Sequence, residues 1–304
     1  MSRLHKTIKI SLARKMEGVF LLLLLFGWYK NGLLPFIHGY HSFSQVLLVF
    51  LYPLLGMGLG KLFDVVFKNE KIYDYFFYGM LFSLFLPLST PLWLYLLFLT
   101  GLFLFHFFVL EKKDLDLNFL VLGKLLLMLC LIFLENYHYS NALESSQRFV
   151  YSFVDGLMGH QISGLFISNV LLIFGGYLFL SFDAYYKKEI PIYSYGLYFL
   201  SLIGYAIYKE DMTFFLEYFC NSQVVAGLVI LAPLSLFSPY SKKRKSLYSL
   251  LIGVLILPFS LKFSFQEGVF LAILVANLCL LFLGIIGSPL NKNLTKDLHK
   301  KTTL

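Results

Sequence analysis

The chain has 304 residues, of which 59% are hydrophobic and only 14% charged, with 25 Lys+Arg against 17 Asp+Glu for a formal charge of +8. Soluble domains carry about 25% charge, so this composition excludes an ordinary globular domain, a disordered chain and a disulfide scaffold. The positive charge sits in short flanks between apolar runs, which also excludes a nucleic-acid binder.

Crossing a roughly 30 Å hydrocarbon core takes about 20 apolar residues in a helix, whose backbone polar groups bond internally. Ten segments qualify, near 16–29, 43–66, 74–89, 91–110, 117–134, 164–181, 192–208, 213–237, 247–261 and 268–287. The fold expected is all-α: a polytopic integral membrane protein of about ten transmembrane helices. Lys6, Lys9, Arg14 and Lys15 precede the first apolar run, and no small-residue cleavage site follows it, which predicts an uncleaved first span. Ser89-Thr90-Pro91 predicts a tight turn between the third and fourth spans.

Alternate flanks collect the basic residues on one side, including Arg14, Lys15, Lys68, Lys71, Lys112, Lys113, Lys187, Lys188 and Lys242 to Lys245. The other side has Lys30, Arg148, Lys209 and Lys262. Because cytoplasmic loops retain positive charge, both termini are expected in the cytoplasm and the protein in the cell membrane. The whole chain, 1–304, reads as one transmembrane domain. It has a basic N-terminus (1–15), an extracytoplasmic loop (135–163) and a basic tail (288–304).

Ionisable and polar residues inside spans are functional candidates because placing them there is costly. Glu217, Asn221 and Gln223 form the most polar stretch within any span and are the bets for an ion or substrate path, with Asn277 further on. Lys124 is a further candidate for lining. Lys61 and Asp64 share a helix face and are expected to pair or snorkel near the cytoplasmic end. His106 reads as a hydrogen-bonded packing histidine. Gly56, Gly58 and Gly60 read as a close helix-packing face. The aromatic runs Phe76-Phe77-Tyr78 and Phe103 to Phe108 read as lipid-facing and interfacial packing. Cys130, Cys220 and Cys279 lie far apart in apolar runs and read as unpaired thiols. His38, His41, His138 and His160 lack helical i,i+4 spacing, so no metal site is expected. No phosphate loop, GxSxG elbow or HExxH motif is present, which removes most support for hydrolase and ATPase chemistry.

Several collinear segments carry a resemblance. They are Arg14-Lys15-Met16-Glu17-Gly18-Val19, the stretch from Tyr78-Gly79-Met80-Leu81 to Pro91-Leu92-Trp93, Leu117 to Gly123, Gly159 to Gly164 with Gly175-Gly176, Ala232 to Pro239, and Glu267 to Leu274 with Asn277. Together they resemble the NqrB/RnfD family, the membrane component shared by Rnf-type electron transport complexes and the sodium-translocating NADH:quinone oxidoreductase. The resemblance implies a ten-span membrane subunit of a flavin-linked electron transport complex. It also implies other membrane redox subunits or extracytoplasmic flavoproteins as partners, beside the lipid bilayer. For cofactor contact it implies Asn118, Gly123, Ser145, Ser146 and Ser238.

The departures fall on the chemistry. The family esterifies FMN to a threonine on the outer side, and the matching position here is Gln147, within Asn141 to Arg148. Covalent FMN is therefore not expected, and a noncovalent flavin, FMN or riboflavin, is the cofactor expectation. Two alternatives remain open at this point: a permease, or a structural membrane partner, reusing the same bundle.

Overall fold

The computed structural model describes residues 10–67, 74–111, 117–134, 153–159, 161, 163–234, 239, 241–264 and 266–283. Among these residues the fold is helical throughout, without strands, as expected of a polytopic membrane protein. Five helices are long and apolar enough to cross a bilayer singly: α1 (Leu12–Ile37), α2 (Phe43–Val66), α4 (Leu92–Leu110), α8 (Glu189–Lys209) and α11 (Lys242–Lys262). Two shorter pieces, α9 (Met212–Phe219) and α10 (Ser222–Leu231), meet at a 46° bend and qualify as one broken span. The remaining apolar helices are α3 (Asp74–Leu84), α5 (Phe119–Phe133), α7 (Val170–Ser181) and α12 (Gly268–Leu283), with the short α6 (Phe153–Met158) before α7.

The ten apolar segments therefore all contain helix, but in four of them the described helix has fewer than 18 residues. The 11 residues of α3 rise only about 16 Å. The spans expected at 74–89 and 164–181 are each part helix and part irregular chain. Helix α3 stops at Leu84, two residues before the leucine that precedes Pro87, a position biased away from helix. Asn169 starts α7 late by capping it, its Oδ1 accepting from Leu172 N at 2.9 Å.

These two irregular stretches are buried and lie against each other. Leu165 N donates to Leu86 O at 2.7 Å and Phe166 N to Leu84 O at 3.3 Å. The Thr90 carbonyl accepts from the Tyr52 hydroxyl, and Asn31 Nδ2 donates to Leu165 O. Backbone without helical bonds is tolerated in an apolar interior only when other protein groups satisfy it, and these bonds do so.

Helix α3 is wrapped by α1, α2 and α5, which corrects the lipid-facing reading of its aromatic run. Phe77 and Tyr78 are buried, as is Phe103 of α4, while Phe108 is half exposed. The α2–α3 contact is backbone to backbone at Gly56 and Gly79, where a Cβ on Gly56 would come within 2.6 Å of Gly79 O. Gly60 likewise lies on the backbone of Tyr75 and Phe76, but Gly58 faces open space. So the packing face uses two of the three glycines, spaced one turn apart. At its start, α3 is capped from α2: the buried Asp64 accepts from Tyr75 N and Phe76 N, both at 3.3 Å. Lys61 is exposed one turn away on the same helix, while Asp64 accepts from the otherwise orphan first amides of α3. His106 is a packing residue, its Nδ1 3.0 Å from the Tyr75 hydroxyl and its ring against Phe119.

Candidate functional site

Three buried asparagines begin three helices near the centre of the chain's packing. Asn118 caps α5 through Val121 N at 3.2 Å, Asn169 caps α7, and Asn221 caps α10 through Val224 N at 3.1 Å. An interior helix start exposes amides that water cannot reach, and a short carboxamide both accepts from them and stays neutral. Asn118 also joins two elements, its Nδ2 lying 3.5 Å from Leu231 O at the end of α10.

Gln161 is the hub where the broken segments meet. Its Oε1 accepts from Ser222 N at 3.1 Å, and its Nε2 reaches Gly156 O at 2.7 Å, Cys220 O at 3.0 Å and Ser168 O at 3.3 Å. Its own carbonyl accepts from the buried ammonium of Lys30 at 2.6 Å. Thus the bend between α9 and α10 and the approach to α7 are tied to the Gln161 side chain, and α1 to its backbone carbonyl.

Beside this hub lies a group of buried polar atoms without hydrogen-bond partners among the described residues. Gln223 is fully buried, and neither its Oε1 nor its Nε2 has a hydrogen-bond partner among the described residues. The hydroxyls of Ser168 and Ser222, also fully buried, are in the same condition. Gly164 leaves room next to Gln223: a Cβ there would sit 3.1 Å from its Nε2 and 3.2 Å from Leu84 O. A buried polar group without a partner costs roughly 1–3 kcal/mol, so such a cluster is the place where water or a small polar ligand is accommodated.

Phe85, just past α3, stacks edge-on against Phe270 of α12 with centroids 5.5 Å apart, and this leads to the second polar feature. Lys124 of α5 and Glu267, which precedes α12, form an ion pair at 3.2 Å with side chains 2% and 1% exposed. Lys124 Nζ also lies 5.7 Å from the Phe270 ring centre. Glu267 stands at the start of α12, where its carbonyl accepts from Phe270 N and Leu271 N and its charge meets the positive helix end. Asn277, 2% exposed on α12, faces Tyr248 of α11.

The residues expected from sequence fall into three groups. Asn221 and Gln223 lie together at the polar junction. Glu217 does not join them, because it stands on the exposed side of α9, and Asn277 belongs to the α11–α12 contact. Ser145, Ser146, Gln147 and Ser238 lie outside the described residues. Gln161, Ser168 and Glu267 were not singled out as site residues. The signal for Glu267 was Lys124, a cation in an apolar helix that needed a carboxylate from elsewhere.

Of the residues expected to contact a flavin, Asn118 and Gly123 lie within the described residues, and both are engaged in helix packing. The Asn118 amide is engaged at both ends, and a Cβ on Gly123 would run into the Leu102 side chain, so this glycine serves contact between α4 and α5 and offers no face to a ring system.

The profile of the NQR2, RnfD, RnfE family matches residues 130–289, more than half of the chain. The chain belongs to that family. Its matched stretch holds Gln161, Asn221, Gln223, Glu267 and Asn277, whereas Asn118 and Lys124 precede it. No curated protein matches the chain. Membership makes it a membrane subunit of the kind found in Rnf- and Nqr-type complexes.

Proposed function

We propose that this family member is a divergent membrane subunit of a flavin-linked electron transport complex and carries no covalent FMN of its own. The observation that carries the reading is the family match combined with Gln147 at the position of the esterified threonine. A carboxamide has no hydroxyl to form a phosphoester. Any flavin associated with the chain is then held noncovalently or by neighbouring redox subunits and extracytoplasmic flavoproteins, with this chain as the docking scaffold in the cell membrane. The basic flanks support an orientation with both termini in the cytoplasm. Within the same reading, the junction of Gln161, Ser168, Ser222 and Gln223 lines the path of a moving ion.

The test is purification in mild detergent from cells that also make the neighbouring subunits and a flavin transferase. Co-purifying flavoprotein subunits, with flavin lost from this chain on denaturation, support the reading. A fluorescent band at 35.1 kDa on a denaturing gel overturns its covalent part and points to Ser145 or Ser146.

The unsatisfied atoms at Gln223 favour one other reading, a permease for a small polar solute at broken helices. It predicts a colourless preparation without redox partners.

A further inference from the structure

We propose that the cleft between the first turns of α8 and α11 is a binding site for the headgroup of an anionic phospholipid. The two helices run side by side in the same direction. Lys245 Nζ lies 2.6 Å from Glu189 Oε2, Ser194 Oγ donates to Ser249 O at 3.0 Å further along, and Gly253 lies against Ser194 and Leu197. Both helices are long and apolar enough to cross a bilayer, so their starts stand together at one membrane surface.

That surface is strongly positive. Lys242, Lys243, Arg244 and Lys245 open α11, whose first turn has no acidic residue, and Lys188 precedes α8. Of the residues lining the cleft, Glu189 alone is acidic, and Lys245 already pairs with it. Lys242, Lys243 and Arg244 are exposed and have no carboxylate partner among the described residues. Cations at a helix start oppose its dipole, so this concentration of charge is costly without a facing anion.

Orienting a chain in the membrane asks only that positive charge lie on one side, and needs no recess between helices. Here the charges border one: Lys242 and Lys245 line it together with Tyr193, Ser246 and Ser249. Ammonium groups beside an exposed hydroxyl suit a phosphodiester, which accepts hydrogen bonds from both. Deeper along the same helices the exposed surface is apolar, with Leu250 and Val254 on α11 and Leu200 on α8. A basic seat that continues into an apolar track along a span fits a lipid better than a soluble phosphate.

The experiment uses the full chain in mild detergent and reads thermal melting and native mass spectra with added phosphatidylglycerol, phosphatidylcholine or inorganic phosphate. Wild type is expected to gain on the order of 5 °C with phosphatidylglycerol, to retain that lipid in the mass spectrum, and to respond to neither of the others. Lys242→Gln/Lys243→Gln/Arg244→Gln is expected to lose the gain while melting like wild type in phosphatidylcholine. Ser246→Trp, which fills the cleft and removes no charge, is expected to lose it as well. Lys209→Gln/Lys262→Gln, altered at the far ends of the same helices, is expected to keep it. No gain in wild type, a gain that survives both cleft variants, or one lost equally in the far-end variant overturns the proposal. An equal gain with phosphatidylcholine removes the charge recognition, and an equal gain with inorganic phosphate assigns the cleft to a soluble anion; either overturns it. So does failure of both cleft variants to yield monodisperse protein, which would make these exposed residues part of the fold.

Discussion

Lys124 and Glu267 lie 143 positions apart in the chain and meet at 3.2 Å in its interior, joining the helix α5 to the start of α12. Removing one partner takes from a buried charge the opposite charge it meets, whereas removing both takes away the two charges together.

From this follows a double-mutant cycle. Lys124→Met alone and Glu267→Met alone should each cost about 3 kcal/mol, and Lys124→Met with Glu267→Met should recover most of the loss. Thermal and denaturant melting in detergent reads it. Additive losses in the double variant would show that the two residues act separately.

Substitutions at the glycines of α2 should split sharply. Gly56→Val forces a side chain into the backbone of Gly79 and should abolish monodisperse protein, while Gly58→Ala, facing open space, should change melting by less than about 1 kcal/mol equivalent. Size-exclusion profiles of the two variants, run side by side, decide the point.

Gln161→Ala removes the acceptor of Ser222 N and the donor to Gly156 O and Cys220 O at one stroke. Buried groups left unsatisfied cost roughly 1–3 kcal/mol each, so this change should destabilise more than Gln223→Ala, which breaks no hydrogen bond within the described residues. Comparative melting of the two variants measures the difference, and equal losses would remove Gln161 from its central position.

A pH dependence attaches to the loop between α7 and α8. Burial acts to raise the Asp183 carboxyl, but Tyr185 N and the Lys15 ammonium, 2.9 Å away, outweigh it and hold the group below the usual carboxylate range. A carboxyl depressed on folding stabilises the protein above its unfolded pKa and loses that contribution as pH falls through the folded one. Wild type should therefore be more stable than Asp183→Asn at pH 6, with the gap closing below about pH 4. A gap that is constant across this range would show that the ion pair contributes nothing.

Much of the architecture was legible because apolar length is a strong signal: every one of the ten apolar segments contains helix. What the hydropathy pattern hid was where helix gives way to buried irregular chain. Leu84 to Leu86 and Ser163 to Ile167 are as apolar as the helices they adjoin, and only Pro87 and Asn169 mark the breaks. The site divided in the same way. Asn221 and Gln223 were visible as polar residues in an apolar run, but Gln161 lay in a stretch read as an extracytoplasmic loop. Glu267 lay at the edge of a span, where carboxylates are common. That Glu217 stands on the exposed side of α9 was not legible, because sequence shows that a residue lies in a span and not which side of the helix it occupies. A pairing across 143 positions has no local signature, so Lys124 could be suspected and its partner could not.

Whether this chain works within a flavin-linked electron transport complex is tested most directly by donor-driven electron flux in membrane vesicles. Vesicles from cells lacking the chain are compared with vesicles in which it is restored. The expected result is flux that is lost without the chain, regained with wild type and regained equally with Ser145→Ala/Ser146→Ala, since no covalent flavin is attached there. Flux that is unchanged in the absence of the chain would contradict a role in such a complex.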